Sequence, residues 1–251
     1  MKVDIRTTTR YICIPALYCY LILTCMPLLL KAQTVQSAEK MDTVTATPSG
    51  DKIEAFLNLG FGATNLKVAQ TTQNEDVTMS GGGGVSVGIN MCHTISPSLD
   101  ANLTGAYQNR TLSKKLDNAE GSFSRLYLLA TLKYRIPVSA SGTIKIGGGL
   151  GYYLPGSLDL DFSKVSNGGH NVYEYNTALG FHLTCDYEIF VSPKFSWGFG
   201  MKYYNVSYNL ASATSNGLSV SINSIPQSIR NDVEKLDGSG VDLSAFVSFH
   251  L

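Results

Sequence analysis

The stretch IKIGGGLGYYL, residues 144–154, interleaves two unlike registers. Ile144, Ile146, Leu150, Tyr152 and Leu154 fall on one; Lys145, Gly147, Gly149 and Gly151 fall on the other. Alternation with period two belongs to a β-strand whose faces meet different surroundings. It does not say which face is inside, because a soluble eight-stranded barrel alternates as cleanly as one set in lipid. The glycines settle the question. Glycine weakens a strand, so a solvent-facing register gains nothing from so many. A narrow, crowded interior does gain, since small residues leave room for long charged neighbours. The polar register therefore points inward and the apolar register outward, the reverse of a soluble protein.

Counting this one, the alternation occurs eight times, over 53–61, 85–91, 99–107, 126–134, 144–154, 173–183, 195–203 and 241–251. Gly60, Gly62, Gly84, Gly88, Gly180, Gly198 and Gly200 also sit on the polar register. So do the charges of these runs: Glu54, Asp100, Arg110, Arg125, Lys133, Arg135, Lys145, Glu174, Asp186, Glu188, Lys202 and Asp242. None reaches the apolar face, as lipid contact demands, since a charge at mid-bilayer costs ~2–4 kcal/mol. The connections alternate too. Long ones cover about 64–81, 111–123, 155–172 and 207–240, and short ones about 93–98, 137–142 and 189–194. Eight runs near the ~9–11 residues of a tilted spanning strand, joined in this way, predict an all-β, eight-stranded antiparallel up-and-down transmembrane β-barrel. Two aromatic bands fit interfacial girdles. Tyr107, Tyr152, Tyr173, Tyr175 and Tyr203 form one, and Tyr134, Tyr187, Phe195, Trp197 and Phe249 the other.

The first residues read differently. Lys2, Arg6 and Arg10 precede the apolar run YICIPALYCYLILTCMPLLL, with Lys31-Ala32-Gln33 after it. That is the layout of a signal peptide over 1–32. Its removal would leave 15 basic and 18 acidic residues, and Cys92 and Cys185 as the remaining cysteines, with no metal-ligand spacing. Residues 33–51 are polar and aperiodic and read as a flexible periplasmic lead-in, leaving 52–251 for the barrel. The 251-residue chain has zero formal net charge, and no basic footprint argues for nucleic acid.

LYLLATLKYRIPV (126–138), IKIGGGLGYYL and the closing GVDLSAFVSFHL (240–251) together resemble the small outer-membrane β-barrel proteins of the OmpA/OmpX type, in particular the barrel domains common in Bacteroidota. The resemblance implies a Gram-negative outer membrane, contact with its lipid and lipopolysaccharide, and insertion by the barrel-assembly machinery. It makes Val247, Phe249 and Leu251 the assembly signal of a last strand that closes on the first, with leucine where phenylalanine is commoner. A PorT-like role in protein secretion also lies within that group, though no residue here singles it out.

Enzyme chemistry finds little footing. The glycine-rich segments lie inside alternating strands, not between a strand and a helix N-terminus, so they are not phosphate loops. His170 and His182 have no evident serine or acid partner in the sequence, and the His-x-Ser pair of lipid A deacylases is absent. Asp159 and Asp161 in LDLDF share one face, but a calcium site needs further oxygen ligands. The sequence therefore predicts no catalytic residue, cofactor or metal. Glu54, Arg125, Lys133, Arg135, Lys145, Glu174, Lys202 and Asp242 are expected to pair as a polar core filling the lumen. In the 207–240 loop, Ile225, Ile229, Val233 and Leu236 recur at helical spacing. They form either a short amphipathic helix capping the barrel mouth or an exposed contact for a surface protein or lipopolysaccharide. The expected function is non-enzymatic: envelope integrity, adhesion or partner docking through long extracellular loops. A narrow channel or carrier for small or hydrophobic solutes is the alternative, with a surface lipid-modifying hydrolase third.

Overall fold

A computed structural model describes residues 50–70, 76–113, 118–165, 168–225 and 227–251. The expected signal peptide and residues 33–49 of the lead-in lie outside the described residues. The strands are β1 (Lys52–Gly62), β2 (Leu66–Gln70), β3 (Asp76–Met79), β4 (Gly83–Ser96), β5 (Leu99–Thr111), β6 (Glu120–Ser139) and β7 (Gly142–Tyr153). They continue with β8 (Ser157–Asp161), β9 (His170–Tyr175), β10 (Ala178–Ser192), β11 (Phe195–Ser215), β12 (Leu218–Val220), β13 (Lys235–Asp237) and β14 (Gly240–His250). A helix, α1 (Gln227–Glu234), precedes β13.

Eight of these strands form a closed antiparallel ring in the order β1, β4, β5, β6, β7, β10, β11, β14. It closes where β14 pairs with β1, from Lys52 opposite His250 to Gly62 opposite Gly240. Closure leaves no edge in the spanning wall, which a bilayer requires because it offers no water to unpaired backbone groups. Along each ring strand the apolar register is exposed: Leu57, Leu59, Val87, Ile89, Leu128, Leu132, Leu150, Leu183, Phe199 and Leu243 form a continuous apolar wall. Among the described residues no helix is long and apolar enough to cross a membrane.

The inward glycines clear space as the sequence implies. A Cβ on Gly200 would lie 2.0 Å from the Asp186 carboxylate, and one on Gly198 would lie 2.4 Å from the Phe246 ring. Tyr107, Tyr134, Tyr152, Trp197 and Phe249 stand on the outer wall.

One expectation needs correction. Tyr173 and Tyr175 do not begin the sixth ring strand. They belong to β9, which ends before β10 begins, and both are buried rather than part of an aromatic girdle. The long connections, moreover, are largely folded. β6 and β11 run for 20 and 21 residues, well beyond the ~9–11 that span hydrocarbon. Where β7 and β10 have stopped, the β8–β9 hairpin takes their place between β6 and β11. The extended β11 also carries β12 and β13 on its other edge. The result is a head at the long-loop end with an apolar core, built from Phe123, Leu158, Tyr175, Tyr208, Val233 and Leu236 among others and continuous with Leu129, Tyr153 and Tyr204 in the barrel.

Candidate functional site

Inside the ring, side chains form layers along the barrel axis. At the short-turn end the charges alternate in sign along one connected chain. Lys52 Nζ lies 3.3 Å from Glu54 Oε2 and 2.6 Å from Glu188 Oε1. Lys145 pairs with the other Glu188 oxygen and lies 3.4 Å from Asp100 Oδ2. Arg135 ends the chain by forking onto Asp100, its Nε donating to Oδ2 at 2.7 Å. All six side chains are buried. Buried charge is tolerated only when paired and hydrogen-bonded, and each member here has an opposite neighbour.

Further along the axis Lys133 Nζ meets Asp186 Oδ2 at 2.8 Å, and Lys202 Nζ meets Asp242 Oδ2 at 3.0 Å. Lys202 also donates to Tyr127 Oη at 3.1 Å and lies over that ring, 4.7 Å from its centroid.

Arg125 sits beyond these pairs, at the base of the head, and no carboxylate meets it among the described residues. Its Nε donates to Gln108 Oε1 at 2.7 Å, and its Nη1 donates to the Gly238 carbonyl at 3.0 Å and to Tyr208 Oη at 3.3 Å. The rings of Tyr153, Tyr204 and Tyr208 surround the guanidinium at 5.0, 5.2 and 5.8 Å. Aromatic faces supply the negative potential that a carboxylate would otherwise provide. Above Arg125, Tyr208 packs edge-on against Tyr153, Tyr175 and Phe123. Burial in the head pushes the phenols of Tyr173 and Tyr175 up.

The structure thus brings Glu54, Arg125, Lys133, Arg135, Lys145, Lys202 and Asp242 into the lumen. Glu174 is not with them. It lies on β9 in the head and accepts a hydrogen bond from Ser157 Oγ at 2.9 Å, on the face opposite the buried Tyr173 and Tyr175. The misplacement has a simple cause: β9 and β10 are separate strands, so the register of Asp186 and Glu188 does not extend back to Glu174. Lys52 was missed because it precedes the first apolar residue of its run, although it shares the parity of Glu54. Ile225, Val233 and Leu236 are buried in the head core, so they are not the exposed contact considered above. Ile229 lies in α1, and its side chain is outside the described residues. Val247 and Phe249 face outward on β14, and Leu251 follows that strand with its amide donating to the Asp51 carbonyl at 2.9 Å.

The histidines fall in four different settings. His182 is buried in the lumen, its Nε2 2.8 Å from Thr131 Oγ1. His93 Nδ1 lies 2.6 Å from Asp51 Oδ1 at the short-turn rim. His170 does find an acid partner, Asp159 Oδ1 at 2.9 Å, because β8 and β9 pair side by side. Asp161, next on the same face, instead accepts from the Ser163 amide at 2.9 Å. Bonds from the Ser163 hydroxyl and amide hold its carboxyl below the usual carboxylate range. His250 Nε2 stands 3.0 Å from Ser196 Oγ, and that hydroxyl donates to Glu188 Oε1 at 2.6 Å. A serine nucleophile passes its proton to histidine; here the proton is directed at a carboxylate, and Ser196 is fully buried.

No family model matches this chain, and no curated protein does. Solved structures do. The outer membrane protein OprG from Pseudomonas aeruginosa superposes with a TM-score of 0.53 at 15% identity, covering 84% of this chain and 100% of that one. Neisserial surface protein A gives 0.47 at 14% identity, over 81% of this chain and 98% of that one. The outer membrane protein AlkL, solved in lipid bilayers, gives 0.44 at 11% identity, over 85% and 97%. The closed ring, the lipid-facing wall and the OprG superposition converge, and this chain has the fold of a small eight-stranded outer-membrane β-barrel.

Proposed function

We propose that this protein is a closed, non-enzymatic barrel whose work is done by its head, held rigidly above the outer leaflet as a contact surface for a partner at the cell surface. In this reading the long-loop end is extracellular and both ends of the barrel domain are periplasmic. One observation carries it: the long connections fold into a strand-built head with a packed apolar core, seated on Arg125 and its tyrosines. A channel would need those connections to leave the mouth open. Here aromatic packing lies above an ion-paired lumen, so neither layer favours passage. Adhesion and partner docking both fit a stiff head, because a preordered surface gives up little conformational entropy on binding.

The test is photocrosslinking on intact cells from Ser212 and Thr214, outer-face positions of the extended β11. Specific adducts with a surface component, absent from the same probe placed at Ser141 in a short turn, are expected. Adducts formed only from the short-turn position would reverse the orientation. Large stable conductance steps from purified protein would remove the closed-barrel reading.

A further inference from the structure

The aromatic band at the short-turn end is incomplete. Tyr134, Tyr187, Trp197 and Phe249 carry it on β6, β10, β11 and β14. β1, β4 and β5 stand side by side, and their outward positions at that end are Ile53, Met91, His93, Ala101 and Leu103. No tyrosine, tryptophan or phenylalanine is among them. A groove of about 420 Å³ opens on the outer wall at this gap, lined by those five residues together with Ala130. Ala101 faces Leu132 across the β5–β6 pairing, and Ala130 faces Leu103. Each pair sets a methyl beside a branched chain, so the two alanines recess the wall along a diagonal. Water filling an apolar recess would lack hydrogen-bond partners, whereas a hydrocarbon chain needs none. Elsewhere around the barrel, girdle side chains occupy the interface; here the wall leaves that place to lipid.

The rim of the groove specifies a headgroup. Asp51 and His93 border it, with Nδ1 2.6 Å from Oδ1 and more than half of each side chain accessible. Lys52 borders it too, but its ammonium is turned into the lumen, toward Glu54 and Glu188. No other lysine or arginine lines the groove. The accessible polar pair is therefore one carboxylate beside one imidazole. An anionic headgroup would meet that carboxylate with no neighbouring ammonium or guanidinium to offset it. A primary ammonium donates to the carboxylate, while the phosphate next to it accepts from the imidazole. The methylated nitrogen of a choline headgroup has no proton to donate.

We infer that this groove is a seat for one ethanolamine phospholipid, its chain lying against Ala101 and Ala130 and its ammonium on Asp51. The lipid completes the girdle where β1, β4 and β5 supply no large aromatic side chain. The assignment concerns the spanning wall alone and stands apart from what the head contacts.

Tryptophan quenching on the full chain, refolded in discs of choline phospholipid, tests this. Trp197 is the single tryptophan and lies outside the groove. Ile89→Trp in a Trp197→Phe background moves the reporter to the next outward position of β4 beyond Met91. Brominated-chain ethanolamine phospholipid should quench this reporter at lower content than brominated-chain glycerol phospholipid. The preference should be about two- to fivefold, the worth of one exposed ion pair. Trp197 in the parent chain should show no preference. Asp51→Asn, a rim change outside the spanning wall, should bring the two lipids to parity at the reporter. Ala101→Phe, which fills the recess, should do the same while keeping folded-barrel gel mobility. Equal quenching by the two lipids at the reporter, or the same preference at Trp197, would overturn the site. A preference that survives Asp51→Asn would overturn the headgroup assignment.

Discussion

The Arg125 guanidinium donates to the Gly238 carbonyl at 3.0 Å, tying the lumen wall on β6 to the turn between β13 and β14. The same turn is held by Gly238 N donating to Val206 O at 2.9 Å and by Ala63 N donating to Ser239 O at 2.9 Å. Arg125 and this turn thus form a polar seam between barrel and head, beside the continuous strands β6 and β11, and it is crowded enough to be probed by one methyl group.

A Cβ on Gly238 would lie 2.7 Å from Arg125 Nη1 and 2.7 Å from the Tyr208 ring. Gly238→Ala should cost about 1–3 kcal/mol, the usual range for overpacking. Urea unfolding of the lipid-inserted protein, followed by tryptophan fluorescence, measures it. Arg125→Lys should be destabilising as well, because an ammonium cannot reproduce the fork onto Gln108 and Gly238.

Glu188 joins Lys52 and Lys145, both buried. Glu188→Gln takes from both cations their shorter ion pair, leaving Lys52 with Glu54 at 3.3 Å and Lys145 with Asp100 at 3.4 Å, and should cost up to about 3–5 kcal/mol. The triple variant Lys52→Met/Lys145→Met/Glu188→Leu removes all three charges. It leaves Asp100 paired with Arg135, though Glu54 loses its Lys52 contact. It should unfold at a urea midpoint nearer the parent than the single variant does. Equal midpoints for the single and triple variants would show that stranded charge is not the cause.

Leu150 and Leu218 are almost equally exposed, at 72% and 73%, yet they belong to different surroundings. Leu150 lies on the spanning wall and Leu218 on the β11–β12 hairpin of the head. Leu150→Arg should lower stability by about 2 kcal/mol, since it places charge in lipid. Leu218→Arg should change it by less than about 0.5 kcal/mol. Denaturant titrations of the two variants in the same lipid decide the matter.

Tyr173 and Tyr175 have phenols raised by burial in the head. Their ionisation is disfavoured in the folded state, so any stability tied to them is intact below the ordinary tyrosine pKa near 10 and declines as pH rises beyond it. A spectrophotometric alkaline titration should show a late-ionising group of tyrosines. In the double variant Tyr173→Phe/Tyr175→Phe that late group should shrink.

The ring and its inside-out faces were legible from alternation, glycine placement and charge parity, because a strand's period and the penalty for charge in lipid are local, additive signals. Seven of the eight expected lumen residues lie there for that reason. Glu174 escaped because parity carries no information across a break in a strand, and Lys52 because no apolar residue precedes it to mark the register. The acid partner of His170 was hidden for a similar reason: Asp159 is eleven residues away and meets it only through the β8–β9 pairing.

By itself, then, the sequence determined how many strands cross, which face meets lipid, and that charged side chains must share one narrow interior. Only the tertiary structure decided what the long connections become. IKIGGGLGYYL reads as one strand with one lipid face, and β7 is that strand. Nothing local says that β6 and β11 continue past it to hold a second hairpin, or that Ile225, Val233 and Leu236 turn into a core. Those outcomes depend on which distant apolar surfaces can be buried together above the membrane. Pairing charges is likewise a property of the closed barrel: until β14 meets β1, Lys52, Glu188 and Lys145 have no shared interior in which to meet.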